Sequence, residues 1–254
     1  MRDHPTSAQA RDMRGAHLRS DEAFRALLDA ASEPYRRASR FAYKFARGKL
    51  RTDPVYRSIL ELGLLQRHKR ILDLGCGQAL LAAWLLAAAR CHERGRWPRD
   101  WPAPVRGQTV RGIELMAHEV VRAHRALGSG CEVIQGDIRG TEFGVADAVV
   151  ILDVLHYIDT RAQEQVLQRV RAALPLGGLL LLRVGDPRGG MRFRFTAYTD
   201  KLAMFCRGHG IVTTHCRSIE EWRALLRERG FESHAVPMSR GTPFANVLLT
   251  ARAL

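Results

Sequence analysis

A glycine-rich turn directly after a short apolar run restricts the fold of this chain more than any other feature. Residues 71–80 read Ile-Leu-Asp-Leu-Gly-Cys-Gly-Gln-Ala-Leu, and an apolar stretch typical of a buried helix continues to Ala89. Gly75 and Gly77 remove side chains where the backbone turns sharply and where a ligand can approach the main chain. The segment therefore predicts a strand, a ligand-binding turn and a helix.

After Arg70, short apolar runs alternate with longer amphipathic runs, as expected for a parallel sheet covered by helices. The last two apolar runs have no helix between them, which predicts a terminal hairpin. We therefore predict a Rossmann-like α/β fold: a seven-stranded, mostly parallel sheet with a C-terminal antiparallel hairpin and helices on both faces. The predicted strands are residues 70–74, 109–114, 132–135, 146–152, 178–184, 231–236 and 246–251, and the predicted helices between and after them are 80–90, 118–127, 161–173 and 218–229.

The chain divides into three parts. Residues 1–20 are polar, charged and aperiodic, which predicts a disordered tail. Residues 21–69 carry helical apolar patterns, the last of them predicting a helix over residues 55–65, and are interpreted as an N-terminal helical cap on the α/β domain, residues 70–254. Within that domain, residues 185–217 follow the carboxyl end of a strand, where open α/β sheets bind ligands, so we interpret this connection as a substrate lid.

The composition of the chain restricts the cellular compartment and the binding partners that we expect for it. The formal net charge is +14, so the surface is expected to attract a polyanion or an acidic protein, unless the charge is a compositional bias. Five cysteines form no Cys-x-x-Cys pair, which predicts a reducing, cytoplasmic location. No apolar stretch is long enough for a membrane span. No metal is expected, because Cys206, His209, His215 and Cys216 lack the spacing of a zinc site.

Acidic residues lie on or directly after four consecutive predicted strands: Asp73, Glu114, Asp137 and Asp153. The carboxyl ends of parallel strands meet at one edge of a sheet, so this order predicts that the carboxylates surround a common ligand. Any one of them alone is more simply explained as a helix cap or a solvated charge. Their sequence of occurrence favours a binding site.

The spacing Asp73-x-Gly75-x-Gly77-x-Ala79 resembles the first motif of class I S-adenosylmethionine-dependent methyltransferases, except that Ala79 stands where a third glycine is usual. The resemblance implies that S-adenosylmethionine is the cofactor. It also implies that Glu114 accepts hydrogen bonds from both ribose hydroxyls, and that Asp137 and Ile138 contact the adenine. The implied cofactor site comprises Asp73, Gly75, Cys76, Gly77, Glu114, Leu115, Asp137, Ile138, Leu152 and Asp153.

The run Leu152-Asp153-Val-Leu-His156-Tyr157-Ile resembles the small-molecule branch of this class. The resemblance places Asp153 beside the methionine part and the reacting methyl group. His156 is our candidate general base, because its reference pKa lies near 6.5, and Tyr157 is a further catalytic candidate. Candidate substrate contacts are Arg47 and Lys49, near a methionine carboxylate or an acidic acceptor, and the lid residues Phe193, Arg194, Tyr198 and Phe205.

Residues 45–54 and 237–249 resemble methyltransferases of bacterial aryl-polyene pigment biosynthesis. That resemblance implies an aryl or acyl acceptor, either free or carried on an acidic carrier protein. Three alternatives stay open: an RNA-directed methyltransferase that uses the basic surface, a nicotinamide-dependent oxidoreductase, and a non-catalytic cofactor-binding protein. Nucleic acid is the less expected substrate, because the fourth strand ends in Leu-Asp153-Val-Leu and not in Asn/Asp-Pro-Pro-aromatic.

Overall fold

A computed structural model describes residues 21–185, 214–238 and 246–254. Its sheet has seven strands in the order β3-β2-β1-β4-β5-β7-β6. The first five strands are parallel, and β7 runs antiparallel to both β5 and β6. This confirms the predicted Rossmann-like sheet and its hairpin. The strands are β1 (Arg70–Leu74), β2 (Thr109–Glu114), β3 (Glu132–Gln135), β4 (Ala148–Leu152), β5 (Leu179–Gly185), β6 (Phe231–Pro237) and β7 (Asn246–Ala253).

Seven α-helices are described, and side chains cap several of them. Ser218 accepts from the amide of Glu221 while the Glu221 carboxylate accepts from the amide of Ser218, a capping box that stabilises the start of the last helix. Asp53 caps α3 in the simpler way. The helices are α1 (residues 21–32), α2 (Arg40–Thr52), α3 (Pro54–Glu61), α4 (Leu80–Glu93), α5 (Ala117–Leu127), α6 (Thr160–Ala173) and α7 (Ile219–Glu228).

Several predicted boundaries differ from the observed ones by one to four residues, and a cause can be named for two of them. A helix was expected to continue to Leu65, but α3 ends at Glu61 because Gly63 adopts the left-handed conformation at φ 60°. The fourth strand was expected from Ala146, but it begins at Ala148. Asp147 accepts hydrogen bonds from the amide of Arg70 at 2.9 Å and from its guanidinium at 2.8 Å. This contact fixes the start of β1. Because the side chain of Asp147 is used in it, the regular pairing of β4 begins one residue later, at Ala148.

Apolar residues fill both faces of the sheet. On one face, α4, α5 and the N-terminal helices pack on alternate strand residues such as Ile71 and Val150. On the other face, α6 and α7 pack on the intervening residues, such as Leu72 and Val149. Alternation along each strand therefore buries both faces, as a doubly covered parallel sheet requires. Among the described helices, none is long and apolar enough to cross a lipid bilayer.

The N-terminal helices share a continuous core with α4. The indole of Trp84 is fully buried, and its Nε1 donates to the carbonyl of Tyr56 at 2.8 Å. The hydroxyl of Tyr35 donates to the carbonyl of Gln78 at 2.8 Å, and Nε2 of Gln78 donates to the carbonyl of Ala42 at 3.1 Å. Gln78 belongs to the glycine-rich turn. The N-terminal segment therefore supports the turn directly.

Candidate active site

Sheet register brings the predicted site residues to one edge. Leu74, the last residue of β1, pairs with Ile113 of β2 and with Ile151 of β4. Glu114 pairs with Gln135, and Leu152 pairs with Arg183. The strand order reverses between β1 and β4, and a crevice for a ligand forms at such a reversal. The turns after β1, β2, β3 and β4 all reach this edge.

Both glycines of the turn adopt positive φ, but for different purposes. Gly75 has φ 73°, and a Cβ atom there would lie 2.4 Å from Cγ2 of Val154. Only glycine fits at that position. Gly77 has φ 56°, and a Cβ atom there would meet nothing within 4 Å. Its main chain is therefore open on the side where a ligand would approach.

Ala79 adopts a conformation that favours glycine, at φ 61° and ψ 45°, immediately before α4. The left-handed region costs a residue with a Cβ atom about 1 kcal/mol. The departure from the usual motif is therefore a change of residue only, because the backbone follows the path that a glycine would take. The side chain of Ala79 is 1% exposed and packs in the core.

The side chain of Cys76 packs over β2. Its side chain is buried, and a Cβ atom on Gly112 of β2 would lie 2.5 Å from its Sγ, so the thiol fills the space above that glycine. Burial raises the pKa of the Cys76 thiol, and the carboxylates of Asp73 and Glu114 raise it further. The predicted cofactor contact of Cys76 would therefore come from its main chain.

Glu114 connects the turn to the end of β2. Its Oε2 accepts from the amide of Gly77 at 2.8 Å, and its Oε1 accepts from the amide of Met116 at 2.8 Å. The residue is only 9% exposed. Each carboxylate oxygen has a second lone pair, so both can still accept a hydroxyl hydrogen bond. The arrangement aims an acceptor-only group at the open main chain of Gly77, which suits a ribose diol.

Asp73 lies on β1 beneath the turn and is 4% exposed. Burial raises its pKa to about 7, and the nearby charge of Glu114 adds to the rise. Two carboxylates that share a buried region cannot both ionise without cost. Asp73 therefore keeps a proton at higher pH than a solvent-exposed aspartate does.

The predicted adenine residues differ in exposure. Asp137, after β3, accepts from the amide of Arg139 at 2.8 Å and from its guanidinium at 2.5 Å, and these hydrogen bonds lower the pKa of Asp137. Ile138 is buried in the core on the α6 face, whereas Leu115 is 53% exposed at the end of β2. Leu115 is therefore the apolar side chain more open to a purine ring, and contacts from Asp137 and Ile138 stay predictions.

A buried arginine joins the end of β5 to two carboxylates. Arg183 is 1% exposed and donates from Nε to Oδ1 of Asp153 at 2.8 Å and from Nη1 to Oδ1 of Asp53 at 2.5 Å. Its Nη2 donates to the second oxygen of Asp153. Nζ of Lys49 lies 2.8 Å from Oδ2 of Asp53 and 3.9 Å from Oδ2 of Asp153. We call these four residues the Arg183 network.

Sequence analysis identified two members of this network, Asp153 and Lys49, and missed the other two. A signal was present, because Arg183 interrupts the apolar run of β5 and a charge inside a buried strand requires a partner. Burial raises the pKa of Asp53, but the opposing effects of Arg183 and Lys49 are larger and hold it well below its usual range.

The two aromatic candidates after β4 lie against each other. The rings of His156 and Tyr157 are centred 4.0 Å apart. Burial lowers the pKa of His156; Asp153 opposes that effect, and Arg183 adds to it. The imidazole is therefore neutral at pH 7 and able to accept a proton. The carbonyl of His156 accepts from the amide of His215 at 2.8 Å, where the chain returns from the predicted lid.

The predicted substrate residues are not all brought together. Lys49 lies in the Arg183 network, but Arg47 projects from another face of α2 and pairs with Asp29 of α1. The four lid residues, Phe193, Arg194, Tyr198 and Phe205, lie outside the described residues. So do Cys206 and His209, and among the residues that are described no group of His, Cys, Asp and Glu could hold a metal ion.

These residues fit S-adenosylmethionine. The open main chain at Gly77 leaves room for a close approach, and Glu114 offers acceptors for the ribose hydroxyls. Asp153 offers a further acceptor at the end of β4, with 26% of its side chain exposed. The strand order, the terminal hairpin and this site together define the fold of a class I methyltransferase.

Comparison with known proteins gives the family. Residues 44–236 match the family model described as "Methyltransferase domain", and the chain belongs to this family. Membership confirms the predicted class of enzyme and its cofactor, S-adenosylmethionine.

Among curated proteins, the chain is 34% identical over 143 residues to the carboxy-S-adenosyl-L-methionine synthase of Chromohalobacter salexigens, covering 52% of this chain and 48% of that protein. The chain thus spans about half the length of this relative.

Solved structures share the fold at low sequence identity. The magnesium protoporphyrin IX methyltransferase of Synechocystis PCC 6803 is 18% identical with a TM-score of 0.55, and the match covers 87% of this chain and 94% of that one. Human N-acetylserotonin methyltransferase in complex with S-adenosylmethionine is 19% identical with a TM-score of 0.55, over 78% of this chain and 51% of that one.

Proposed function

We propose that this chain transfers the methyl group of S-adenosylmethionine to a small-molecule acceptor. The observation that carries the proposal is the joint placement of the open turn at Gly77, the Glu114 carboxylate and Asp153 at one edge of the sheet. Two of the structural neighbours are named for small acceptors, a porphyrin and N-acetylserotonin, which supports this branch. The acceptor we favour is an aryl or acyl intermediate of pigment biosynthesis, either free or on a carrier protein.

The chemistry needs alignment more than activation. Bound cofactor supplies an electrophilic methyl group on a sulfonium, so the protein must hold an acceptor atom in line with it. Glu114 would hold the ribose and Asp153 the methionine end. His156, which is neutral at pH 7, would take the proton from a hydroxyl acceptor. A free amine would not require this step.

The outer face of α2 supports an acidic carrier as the source of the acceptor. Lys44 and Arg51 follow Arg40 by four and eleven positions, so the three side chains lie on one side of the helix. Along the described part of the chain, none of the three forms an ion pair. The same helix contributes Lys49 to the Arg183 network. Lys49 projects from the opposite side of α2, so a partner docked on the basic face would lie one helix diameter, ~10 Å, from the Arg183 network.

A transfer assay with labelled methyl groups tests the proposal. Free aryl acids, the same acids on a carrier protein, and RNA are offered in parallel, with the mass of the cofactor product followed as well. We expect label on an aryl or acyl acceptor. Label on RNA alone would replace the proposal with the RNA-directed alternative. A carboxylated cofactor would instead indicate the activity named for the Chromohalobacter relative.

A further inference from the structure

A stable fold does not require the buried charges of the Arg183 network. Removing a guanidinium from water is unfavourable, and apolar residues of similar volume often stabilise a core at least as well as a buried ion pair. All of the residues before Arg183 in β5 are apolar and buried. An arginine at this position therefore points to a need for a defined geometry.

The geometry is one that only arginine can provide. Its planar fork engages both oxygens of Asp153 and, with the remaining nitrogen, Asp53 at 2.5 Å. Asp153 has φ 59°, a backbone conformation that is unfavourable for a residue with a side chain. The two hydrogen bonds from Arg183 offset that cost and fix the direction of the carboxylate.

Asp53 extends this control to the N-terminal helices. It lies between α2 and α3, caps α3, and holds Nζ of Lys49 at 2.8 Å. Lys49 thereby lies 3.9 Å from Asp153, with 36% of its side chain exposed. The exposed part of the network is one carboxylate beside one ammonium.

An α-amino acid group carries the complementary pair of charges, an ammonium and a carboxylate. The network itself contains two cations and two carboxylates, so binding of a zwitterion leaves its charge balanced. We infer that Arg183 is a positioning residue for the amino-acid end of S-adenosylmethionine: it orients Asp153 toward the ammonium and, through Asp53, sets Lys49 beside the carboxylate. This inference rests on the proposed function.

Two ligands separate positioning from a merely structural role. S-adenosylhomocysteine carries the amino-acid group, whereas 5′-methylthioadenosine has the same adenosine and a sulfur but lacks it. Calorimetry with Arg183→Met should show affinity for S-adenosylhomocysteine reduced about tenfold or more, the order of loss expected for one charged contact. Affinity for 5′-methylthioadenosine should stay within about twofold of the wild-type value.

Smaller changes keep the test decisive if Arg183→Met does not fold. Asp53→Asn and Arg183→Lys retain much of the volume and should show the same selective loss. Arg171→Met is the matched control, because the hydrogen bonds of Arg171 within the described part of the chain go to main-chain oxygens of Leu174 and Leu254, at the opposite edge of the sheet. In Arg171→Met, the affinities for S-adenosylhomocysteine and for 5′-methylthioadenosine should both be unchanged.

Equal losses for the two ligands, or no loss for either, would overturn the inference and leave the proposed function standing. A wild-type chain that binds neither ligand would overturn both. A crystal structure of Arg183→Lys gives an independent reading, since Asp153 should turn away from its wild-type direction. An unchanged Asp153 would also contradict the inference.

Discussion

At the scale of single residues, Glu114 serves both the fold and the proposed ribose contact. The sequence motif implied only the second task, and from it alone Glu114→Ala would be expected to leave folding almost unaffected. The structure shows that the carboxylate also accepts two main-chain hydrogen bonds, from Gly77 and Met116. Removing it leaves two partly buried amides without this partner.

We therefore expect Glu114→Ala to lower the affinity for S-adenosylmethionine at least tenfold and the free energy of unfolding by about 2 kcal/mol. Calorimetry and urea denaturation measure the two effects. Glu132→Ala is the control, because Glu132 is an exposed β3 carboxylate that should change neither quantity. Unchanged cofactor affinity in Glu114→Ala would remove the ribose assignment.

Asp73 should make stability depend on pH. Its pKa is raised to about 7 in the folded chain, so between its unfolded pKa and pH 7 the folded state holds a proton that the unfolded state has lost. Stability from this group therefore falls as pH rises through that window. Asp73→Asn removes this pH dependence. As pH increases, the free energy of unfolding of the variant relative to wild type should therefore rise by up to about 1.4 kcal/mol per pH unit.

Denaturation curves for both chains between about pH 4 and pH 8 check this. His68 and His156 have lowered pKa values and titrate in part of the same window with the opposite sign, but they are common to both chains and cancel in the difference. A difference that does not vary with pH would show that Asp73 is ionised throughout.

His156→Ala should reduce the turnover of a hydroxyl acceptor by roughly a hundredfold or more, the range for loss of a general base. Because burial lowers the pKa of His156, the wild-type rate should fall on the acid side only below the usual pKa of histidine. Cofactor affinity should be unchanged. Steady-state rates across pH test both statements, and full activity in the variant would exclude His156 as the base.

The candidate site could be predicted from the sequence where a local motif or a place at a strand end carries the information. Gly75, Gly77 and Glu114 are of this kind. Arg183 and Asp53 are not, because they are 130 positions apart and only the folded sheet brings them together. A charged residue in a buried strand indicates that a partner of opposite charge exists. The local sequence pattern does not identify which residue that partner is.

At the scale of elements, the turn between β1 and α4 depends on a single alanine in a left-handed conformation. Ala79→Val places a branched side chain at φ 61° and in a buried position. We expect it to lower the free energy of unfolding by more than about 2 kcal/mol and to weaken cofactor binding, since the turn would have to change path.

Ala79→Gly is the matched control. Relief of backbone strain, loss of a buried methyl group and greater freedom of the unfolded chain largely cancel, so stability should change by less than about 1 kcal/mol. Thermal denaturation compares the three chains. Equal stability of the valine and glycine variants would mean that the turn tolerates another path.

Elements were predicted well where apolar periodicity is strong and less well at their ends. All seven strands were expected, because each contains a short group of apolar residues flanked by polar or glycine residues. The errors at Ala146 and Leu65 arise from Asp147 and Gly63, whose effects depend on a distant amide and on a local φ. Neither influence is visible in hydrophobic pattern.

At the scale of the whole molecule, the N-terminal helices and α4 bury each other. Trp84 contacts Tyr56 through its indole nitrogen and Phe24 through its ring. A chain that begins at residue 70 would expose this face of α4. We expect it to aggregate or to lack cooperative unfolding, whereas a chain of residues 21–254, which keeps this packing, should unfold cooperatively. Circular dichroism during heating checks both, and a stable chain from residue 70 would show two independent units.

The connection between β5 and α7 leaves and rejoins the same edge of the sheet. It departs after Gly185, and where the described chain resumes, His215 bonds to His156 and Gln163, while Arg217 bonds to Gln163 and Glu164. Both ends are thus anchored independently of whatever lies between them. Insertions and deletions there would not displace the strands. We therefore expect a shortened or lengthened connection, the predicted lid, to alter the choice of acceptor without moving the strands that carry the cofactor-site candidates.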